Sequence, residues 1–274
     1  MKATLTVLGS GTSMGVPTIG CDCGVCTSTD PHDRRTRPSV MVQWDDHHSN
    51  PPTTGAPGTP GHTVLIDTTP DFREQAIREH IRKIDAVLYT HGHADHILGL
   101  DDVRPLSFPR VTGGGKIPLY ASPRTTEVLR NVFRYIFDAD YKYGGLAQVE
   151  LQPVKGPVHL FGATFTPLVV LHGDVPIEGY RFGSAAYLTD FSSVPEESLA
   201  QLEGLDILFL DALRHHPHPT HSTVENSLKI VDRLKPKRTY FTHISHDLPH
   251  EQTNAALPEN VRLAYDGLKL EFDL

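Results

Sequence analysis

The sequence lacks the features that mark membrane-spanning and secreted proteins. No stretch approaches the ~20 consecutive apolar residues of a spanning helix, and the apolar run near the N-terminus is too short for a signal peptide. Cysteine is scarce, and the three residues, Cys21, Cys23 and Cys26, lie within six positions. An odd number in so short a segment excludes a secreted disulfide scaffold. We therefore expect a soluble, cytoplasmic globular protein without a membrane partner.

The sequence also has little clustered positive charge. Its 25 Lys and Arg residues against 33 Asp and Glu residues give a formal net charge of −8, and no basic block stands out. Because phosphate contacts along a duplex need clustered Lys and Arg, a nucleic-acid partner is not expected. The 274 residues, of which 38% are hydrophobic, suffice for a sizeable core, and we expect one domain over 1–274.

Strands and helices mix along the chain without a visible domain boundary. Apolar runs predict strands at 5–9, 39–44, 64–66, 86–89, 207–210 and 239–242, and a closing β segment at 261–272. Residues that commonly begin helices predict three of them. One runs from Pro70 to about Ile81, and a second begins at Ser122 and has one apolar face as far as Phe137. The third begins at the capping-box signature at 222–225 and runs to about Leu234. Residues 45–62, rich in proline and glycine, are interpreted as a flexible hairpin insertion.

Histidine, in contrast, is in excess, at 17 of 274 residues, and four potential metal ligands lie within one run of six. These are His91, His93, Asp95 and His96, directly after a short buried strand. In a turn, His91 and His93 can converge on one ion while Asp95 and His96 face a second. Imidazole and carboxylate ligands suit Zn²⁺, Mn²⁺ or Fe. The spacing favours a two-metal site over a polar loop that happens to contain histidines.

A second metal-ligand pattern is formed by the three cysteines. Cys-x-Cys-x-x-Cys in an intracellular protein has the spacing of a zinc site, and three thiolates need a fourth ligand for a closed tetrahedral ion. The alternative is a set of three free structural thiols.

The histidine motif, together with residues further along the chain, resembles the metallo-β-lactamase superfamily. Its members carry a further His, an Asp and a last His, each at a strand end, and this sequence has such residues in that order. The resemblance implies two ligand sets joined by one aspartate: His91, His93 and His172 for one metal, Asp95, His96 and His243 for the other, and Asp190 bridging both. Asp67 matches the early aspartate of the family, which orients the histidine loop without binding metal.

More narrowly, the chain resembles the PhnP-like cyclic phosphodiesterases of the phosphonate pathway over nearly its whole length, with 45–62 as the main departure. Those proteins carry the same cysteine cluster, and their fourth zinc ligand lies three residues after the last active-site His, where His246 stands here. Their general acid is a His about 22 residues before that last ligand, and His221 precedes His243 by 22 residues. His221 also directly precedes the capping box, and the free N–H groups of a helix start form a natural anion site.

The resemblance implies an α/β fold, the αββα sandwich of two mixed sheets with outer helices and the metals at one edge. It implies two Zn or Mn ions at the active site and one structural Zn. Two such ions can activate a water and clamp the oxygens of a phosphoryl group, while Asp95 orients the nucleophile and His221 protonates the leaving alkoxide. The implied reaction is hydrolysis of a small cyclic phosphodiester, with 5-phosphoribosyl 1,2-cyclic phosphate as the single best substrate.

Other interpretations stay open at this point. A 3′-tRNA processing endonuclease would share both metals, but the sequence shows no basic arm and does contain the cysteine cluster. The pyrroloquinoline-quinone (PQQ) biosynthesis branch also resembles the cysteine pattern, although it often departs from the full ligand set, and a non-catalytic metal sensor would need no general acid. Arg104 either supports the metal ligands or binds phosphate, or it forms a surface ion pair. Three further histidines, His215, His216 and His218, are interpreted as a solvated loop. A homodimer remains an alternative to a monomer.

Overall fold

The chain forms fourteen strands and eight α-helices within residues 1–45, 61–138, 140 and 145–274, which are the residues that the computed structural model describes. The strands are β1 Lys2–Gly9, β2 Ser39–Trp44, β3 His62–Ile66, β4 Ala86–Leu88, β5 Ile117–Ala121, β6 Val149–Pro153, β7 Val158–Leu160, β8 Ala163–His172, β9 Val175–Phe182, β10 Ala185–Leu188, β11 Ile207–Asp211, β12 Arg238–Thr242, β13 Val261–Leu263 and β14 Lys269–Asp273. The α-helices are α1 Phe72–Arg78, α2 Ala94–Ile97, α3 Pro109–Thr112, α4 Pro123–Val132, α5 Arg134–Phe137, α6 Glu196–Ala200, α7 Val224–Leu234 and α8 His250–Ala256. Two 3₁₀ helices cover Pro31–Asp33 and Leu100–Leu106. No helix in the described ranges is long and apolar enough to cross a membrane.

The strands build two seven-stranded sheets, each of which mixes antiparallel and parallel pairs. The strand orders are β14-β1-β2-β3-β4-β5-β6 and β13-β12-β11-β10-β9-β8-β7. In the first sheet, antiparallel pairing from β14 to β3 passes into parallel pairing from β3 to β6. In the second, antiparallel pairing from β7 to β10 passes into parallel pairing from β10 to β13. The two sheets therefore repeat one plan, although the sequence has no recognisable repeat.

Three buried clusters explain the layered packing. Side chains of both sheets, including Val64 and Ile66 of β3 and Phe209 of β11, share the cluster between the sheets. The alternate residues face outward, so Leu65 packs in a second cluster with α1 and α4, and Leu208 packs in a third with α6 and α7. Because successive side chains of a strand point to opposite faces, central strands that are covered on both faces read as unbroken apolar runs. The predicted αββα sandwich is confirmed.

Several helix boundaries differ from those predicted. The helix α1 ends at Arg78, short of Ile81, because His80 adopts a left-handed backbone with φ of 54°. The helix that begins at Ser122 breaks at Phe133, where φ is −105° and ψ is 37°, and continues as α5. The cap of α7 is Thr223, whose side chain accepts a hydrogen bond from the amide of Asn226 at 3.2 Å, so the predicted box does not form around residue 222.

The structure shows how two of the predicted β segments pair. The closing segment splits between the sheets, since β13 pairs with β12 and β14 pairs with β1. The strands that flank the predicted insertion, β2 and β3, pair antiparallel with Trp44 opposite His62. The insertion itself, at 45–62, falls almost entirely outside the described residues.

Candidate metal centre and active site

The predicted ligands lie where strands of both sheets end at one edge of the sandwich. Asp67 follows β3, the histidine run follows β4, His172 ends β8, Asp190 follows β10 and His243 follows β12. Three of these residues have a left-handed backbone, with φ of 67° at Asp67, 58° at Asp190 and 57° at His243. This conformation is uncommon for residues other than glycine and concentrates at functional sites, where surrounding structure holds it in place. The strain at three predicted site residues marks the edge as the functional one.

Four side chains meet in one buried group whose potential ligand atoms all lie within 4.8 Å of one another: Asp95, His96, Asp190 and His243. His96 Nε2 lies 3.2 Å from Asp190 Oδ1 and 3.3 Å from Asp95 Oδ2. His243 Nε2 lies 3.2 Å from Asp190 Oδ2 and 3.6 Å from Asp95 Oδ2. The structure thus brings together the second predicted ligand set and its bridging aspartate.

The first predicted set, His91, His93 and His172, lies against the same aspartate in a looser arrangement. The ring centroids are 4.5 Å apart for His91 and His93, 5.0 Å for His93 and His172, and 5.7 Å for His91 and His172. His91 Nε2 lies 3.8 Å from Asp190 Oδ2. The carboxylate of Asp190 therefore stands between the two sets, as a bridging ligand requires. The ligand roles themselves stay predictions.

A network of hydrogen bonds holds the histidine rings in place. His96 Nδ1 donates to Asp67 Oδ2 at 2.7 Å, and Thr90 donates to the same carboxylate through its amide and its hydroxyl, both at 2.8 Å. His172 Nδ1 donates to the carbonyl oxygen of Asp190 at 2.6 Å. A hydrogen bond at one ring nitrogen sets the tautomer and leaves the other nitrogen free for a ligand. Asp67 thus contacts His96, and its orienting role stays a prediction.

The electrostatics divide the cluster into neutral and charged rings. Burial lowers the pKa of His91, His93 and His172, which favours the neutral ring, and a neutral ring has one nitrogen without a proton that can bind a metal. Burial opposes charge on His96 as well, but the carboxylates of Asp190 and Asp95 hold its pKa well above the usual range. These groups also raise the pKa of His243 to about 9 against the effect of burial. A divalent cation would bind these ring nitrogens of His96 and His243 in place of their protons.

Buried atoms without partners test whether this donor set fits metal ions. Four buried atoms have no hydrogen-bond partner among the described residues: His91 Nε2, His96 Nε2, His243 Nε2 and Asp95 Oδ2. A buried polar group that is left unsatisfied costs about 1–3 kcal/mol, so a cluster of four calls for an explanation. All four belong to the predicted ligand set, and imidazole and carboxylate donors suit Zn²⁺, Mn²⁺ and Fe. The residues fit a two-metal centre.

His221 lies beside this cluster and is paired with Asp211, a residue that the sequence did not single out. His221 Nδ1 and Asp211 Oδ2 are 2.9 Å apart, and the His221 ring stacks on that of His243 with centroids 4.6 Å apart. Burial and the charge of His243 lower the pKa of His221 to about 4, whereas burial raises that of Asp211 well above its usual value. The pair therefore shares one proton between Nδ1 and Oδ2. The only sequence signal for Asp211 is its position at the end of an apolar strand.

The structure brings the three cysteines together around His246, the residue that the family resemblance implies as their fourth partner. His246 Nδ1 lies 3.2, 3.5 and 3.3 Å from the sulfurs of Cys21, Cys23 and Cys26. A tetrahedral zinc with bonds of about 2.3 Å to sulfur and about 2.0 Å to nitrogen would place these atoms roughly 3.5 Å apart. The amide of Thr18 donates to Cys26 Sγ at 3.3 Å, as amides do to thiolates at metal sites. The donor set fits one structural zinc.

A buried arginine ties the loop that carries both His243 and His246 to the segment after the cysteines. Arg35 donates to the carbonyl oxygens of Ser245 at 2.7 Å and Leu248 at 2.6 Å, and pairs with Asp33 at 2.9 Å. The Arg35 side chain is fully buried. Sequence reasoning missed it, because Arg35 lies in a polar stretch beside Arg34 and Arg37, where an arginine resembles a surface residue. The contact means that the two predicted metal sites share one rigid loop.

The remaining sequence candidates lie at the margin of the site or away from it. His215 Nδ1 lies 2.6 Å from Glu225 at the exposed start of α7, and His216 is also exposed. His218 is closer, with its ring centroid 4.9 Å from that of His221. Arg104 donates to the carbonyl oxygen of Gly145 at 3.1 Å, and its predicted roles stay predictions.

Comparison with known proteins gives consistent results over most of the chain. Residues 62–244 match the beta-lactamase superfamily domain. A crystal structure of a diphosphatase from the PhnP family is 66% identical, with a TM-score of 0.90 and coverage of 100% of this chain and 98% of the other. Zinc-bound PqqB from Methylobacterium extorquens shares the fold at 20% identity, with a TM-score of 0.73 over 97% of this chain and 99% of that one.

Among curated proteins, an octanoyltransferase of Porphyromonas gingivalis is 36% identical over 271 residues, which cover 97% of this chain and 51% of that protein. A coenzyme PQQ synthesis protein B of Xanthomonas axonopodis is 30% identical over 188 residues, which cover 63% of this chain and 53% of that protein. This chain therefore spans about half the length of these two curated relatives.

Proposed function

This chain belongs to the metallo-β-lactamase superfamily and, within it, to the PhnP family, and we propose that it is a metal-dependent hydrolase of small cyclic phosphodiesters. The observation that carries the proposal is the set of four buried ligand atoms without hydrogen-bond partners, next to the His221–Asp211 pair. A binding or storage protein would need the ligands alone. A proton donor beside them is a requirement of catalysis.

The metal centre would use Asp190 and the six residues that converge on it. His91, His93 and His172 would hold one ion, Asp95, His96 and His243 the other, and Asp190 both; Zn²⁺ and Mn²⁺ suit these donors. When bound, two such ions supply Lewis acidity to a phosphoryl oxygen and lower the pKa of water. Cys21, Cys23, Cys26 and His246 would hold one structural Zn²⁺.

The protein's own groups then position the attacking water and move a proton to the leaving group. Asp95 Oδ2 is buried and has no partner, so it can accept a hydrogen bond from that water. Burial raises the pKa of Asp95, but the neighbouring His96 and His243 side chains lower it by more, so the carboxylate is ionised. His221 Nδ1 shares one proton with Asp211 Oδ2 at 2.9 Å, and as a general acid His221 would carry a second proton on Nε2. As Nε2 protonates the leaving oxygen, the shared proton moves fully to Nδ1, and Asp211 stabilises the ring throughout.

We propose a small substrate, with 5-phosphoribosyl 1,2-cyclic phosphate as the first candidate, because the resemblance to the cyclic phosphodiesterases extends to His221 and the cysteine cluster. A second candidate, a diphosphate, is favoured by one observation: the 66% identical structure from the PhnP family is a diphosphatase. Both reactions displace an oxygen from phosphorus. A tRNA precursor is a poorer candidate, since the net charge of −8 disfavours a polyanion.

Two further relationships do not change the proposal. The relative named octanoyltransferase is about twice as long as this chain. Clustered histidines and aspartates are typical of metal-dependent hydrolysis and not of acyl transfer. The PQQ-synthesis proteins share the fold, but a proton donor paired with a buried carboxylate favours hydrolysis. The three free thiols around one histidine suit a reducing compartment, so we propose a cytoplasmic location.

The proposal is tested by assaying one purified, metal-loaded sample against a panel of phosphate substrates. The panel contains bis(p-nitrophenyl) phosphate, 5-phosphoribosyl 1,2-cyclic phosphate, a 2′,3′-cyclic nucleotide, a nucleoside diphosphate and a precursor tRNA. Turnover of the cyclic ribose phosphate with the highest kcat/KM supports the proposal. Higher kcat/KM for the diphosphate selects the second candidate. Cleavage of the tRNA alone, or of nothing in the panel, contradicts both.

A further inference from the structure

A cavity of about 110 Å³ opens beside the first predicted ligand set, and the function described above does not use it. Its walls include the ligands His93 and His172, the apolar side chains of Val128 and Ile177, and Arg124. The volume is several times the ~30 Å³ that a water molecule occupies in the liquid. The cavity is therefore continuous with the metal centre and large enough for a substituent of the substrate.

The cavity is shaped by close packing between α4 and the histidine loop. Gly92 lies so close to α4 that an added Cβ would come within 2.9 Å of the Val128 side chain. The first turn of α4, capped by the Ser122 side chain, carries Arg124. Gly92 thus allows the histidine loop to pack closely against α4, which places Arg124 beside two predicted metal ligands.

Arg124 is the only lysine or arginine among the described residues that line the cavity. In the part of the chain that the structure describes, its guanidinium has no hydrogen bond and no ion pair, whereas Arg35, Arg37 and Arg233 pair with carboxylates. The protein carries a formal net charge of −8, so an unpaired cation next to the active site is not explained by a general excess of positive charge. Its planar fork of donors matches a phosphate through two parallel hydrogen bonds.

We infer that Arg124 is a specificity-determining residue that binds a phosphate monoester of the substrate, separate from the scissile phosphodiester, in the cavity between α4 and the His93 loop. The inference rests on the proposed function and deepens it by defining the substrate class. The substrate carries two phosphate groups, one at the metal centre and one at Arg124. The apolar wall formed by Val128 and Ile177 contacts the carbon skeleton between them.

A charged side chain that is merely exposed is the alternative explanation, and the same helix offers a matched control. Arg130 is also exposed, also lies on α4 and also has no partner among the described residues. It lines a different surface depression, together with Arg134 and Asp138. Arg124→Gln and Arg130→Gln remove the same charge from the same helix at different distances from the site.

The test compares two substrates that differ only in the monoester: 5-phosphoribosyl 1,2-cyclic phosphate and ribose 1,2-cyclic phosphate. For the metal-loaded protein, Arg124→Gln should lower the ratio of their kcat/KM values by ~10–100-fold, mainly through KM, because a charge-assisted hydrogen-bond pair to phosphate is lost. Arg124→Lys should recover part of the ratio, since it keeps the charge but not the fork. Arg130→Gln should leave the ratio within about twofold of the wild type, which is less than the effect of losing one weak hydrogen bond.

Two results would overturn the inference: an unchanged ratio in Arg124→Gln, or an equal fall in Arg130→Gln. Failure of the proposed function is distinguishable, because the wild type would then hydrolyse neither cyclic phosphate. In that event, calorimetric binding of ribose 5-phosphate tests Arg124 alone. Binding that Arg124→Gln weakens about tenfold or more supports the phosphate site, and binding that both variants retain overturns it.

Discussion

Replacement of His221 by alanine tests the assignment of this residue as the proton donor. The structure places its ring 2.9 Å from Asp211 and stacks it on His243 with centroids 4.6 Å apart. The side chain is 13% exposed, so Nε2 can reach a bound substrate. His221→Ala removes the donor and leaves the seven predicted metal ligands in place.

The magnitude follows from the chemistry of the leaving group. General acids contribute ~10²–10⁴-fold, so turnover of a cyclic ribose phosphate, whose alkoxide must be protonated, should fall by that factor. This corresponds to ~2.7–5.4 kcal/mol of transition-state stabilisation at ~1.36 kcal/mol per tenfold. p-Nitrophenolate is a good leaving group, and turnover of bis(p-nitrophenyl) phosphate should fall by less than about tenfold.

The assay measures kcat for both substrates together with the metal content of each sample. Asp211→Asn is the companion variant, because it keeps the shape of the side chain but removes the carboxyl that shares the proton. It should lower turnover of the cyclic substrate by less than His221→Ala does, with the same preference for the good leaving group.

Three outcomes would refute this reasoning. Equal losses on the two substrates would indicate that His221 binds phosphate instead of donating a proton. Loss of one metal ion in His221→Ala would make the residue a ligand, which its proximity to His172 and Asp190 permits. Full activity in Asp211→Asn would show that the shared proton is irrelevant.

Three further variants test other parts of the molecule. Asp190→Ala should abolish phosphodiesterase activity while circular dichroism shows the fold retained, because the two ligand sets lose their common carboxylate; near wild-type turnover would remove Asp190 from the site. Cys23→Ser should lose one zinc per chain and lower the melting temperature, because a structural zinc contributes directly to folding, and an unchanged zinc count and melting temperature would contradict the site. Burial raises the pKa of Glu178 to about 7 from an unperturbed 4.5, so the wild type loses stability as pH rises between these values, where only the unfolded chain releases its proton. Glu178→Gln should therefore stabilise the protein by roughly 1–3 kcal/mol in urea unfolding at pH 8 and change little at pH 4.5, and an equal effect at both pH values would exclude this titration.

The fold class could be predicted from the sequence because the patterns that indicate it lie within short segments. The runs at 86–88 and 207–211 are apolar at every position but the last aspartate, as expected for strands covered on both faces. The His91–His96 motif was readable for the same reason, since four ligands within one turn need no knowledge of the rest of the chain. Helix ends were less accurate, because the left-handed backbone at His80 and the break at Phe133 depend on packing against the sheet.

Residues that act through distant partners were not accessible in this way. Asp211 lies ten residues before His221, and Arg35 reaches across to Ser245, 210 residues later. Each side chain is ordinary in its local sequence, so nothing marked it before the fold was known. The same holds for Arg124, one exposed arginine on a helix that carries another at residue 130.

The sequence by itself determined which side chains are candidate metal ligands, because residue types, their order and their spacing are local properties of the chain. Only the tertiary structure decided how these residues combine. Strands of two sheets end at one edge, which brings Asp190 within 3.2 Å of both His96 and His243 and Asp95 within 3.3 Å of His96. Contacts between residues far apart in the chain depend on strand order and on which face of the sheet a side chain occupies. Those properties arise from burial of the whole apolar surface rather than from any single segment.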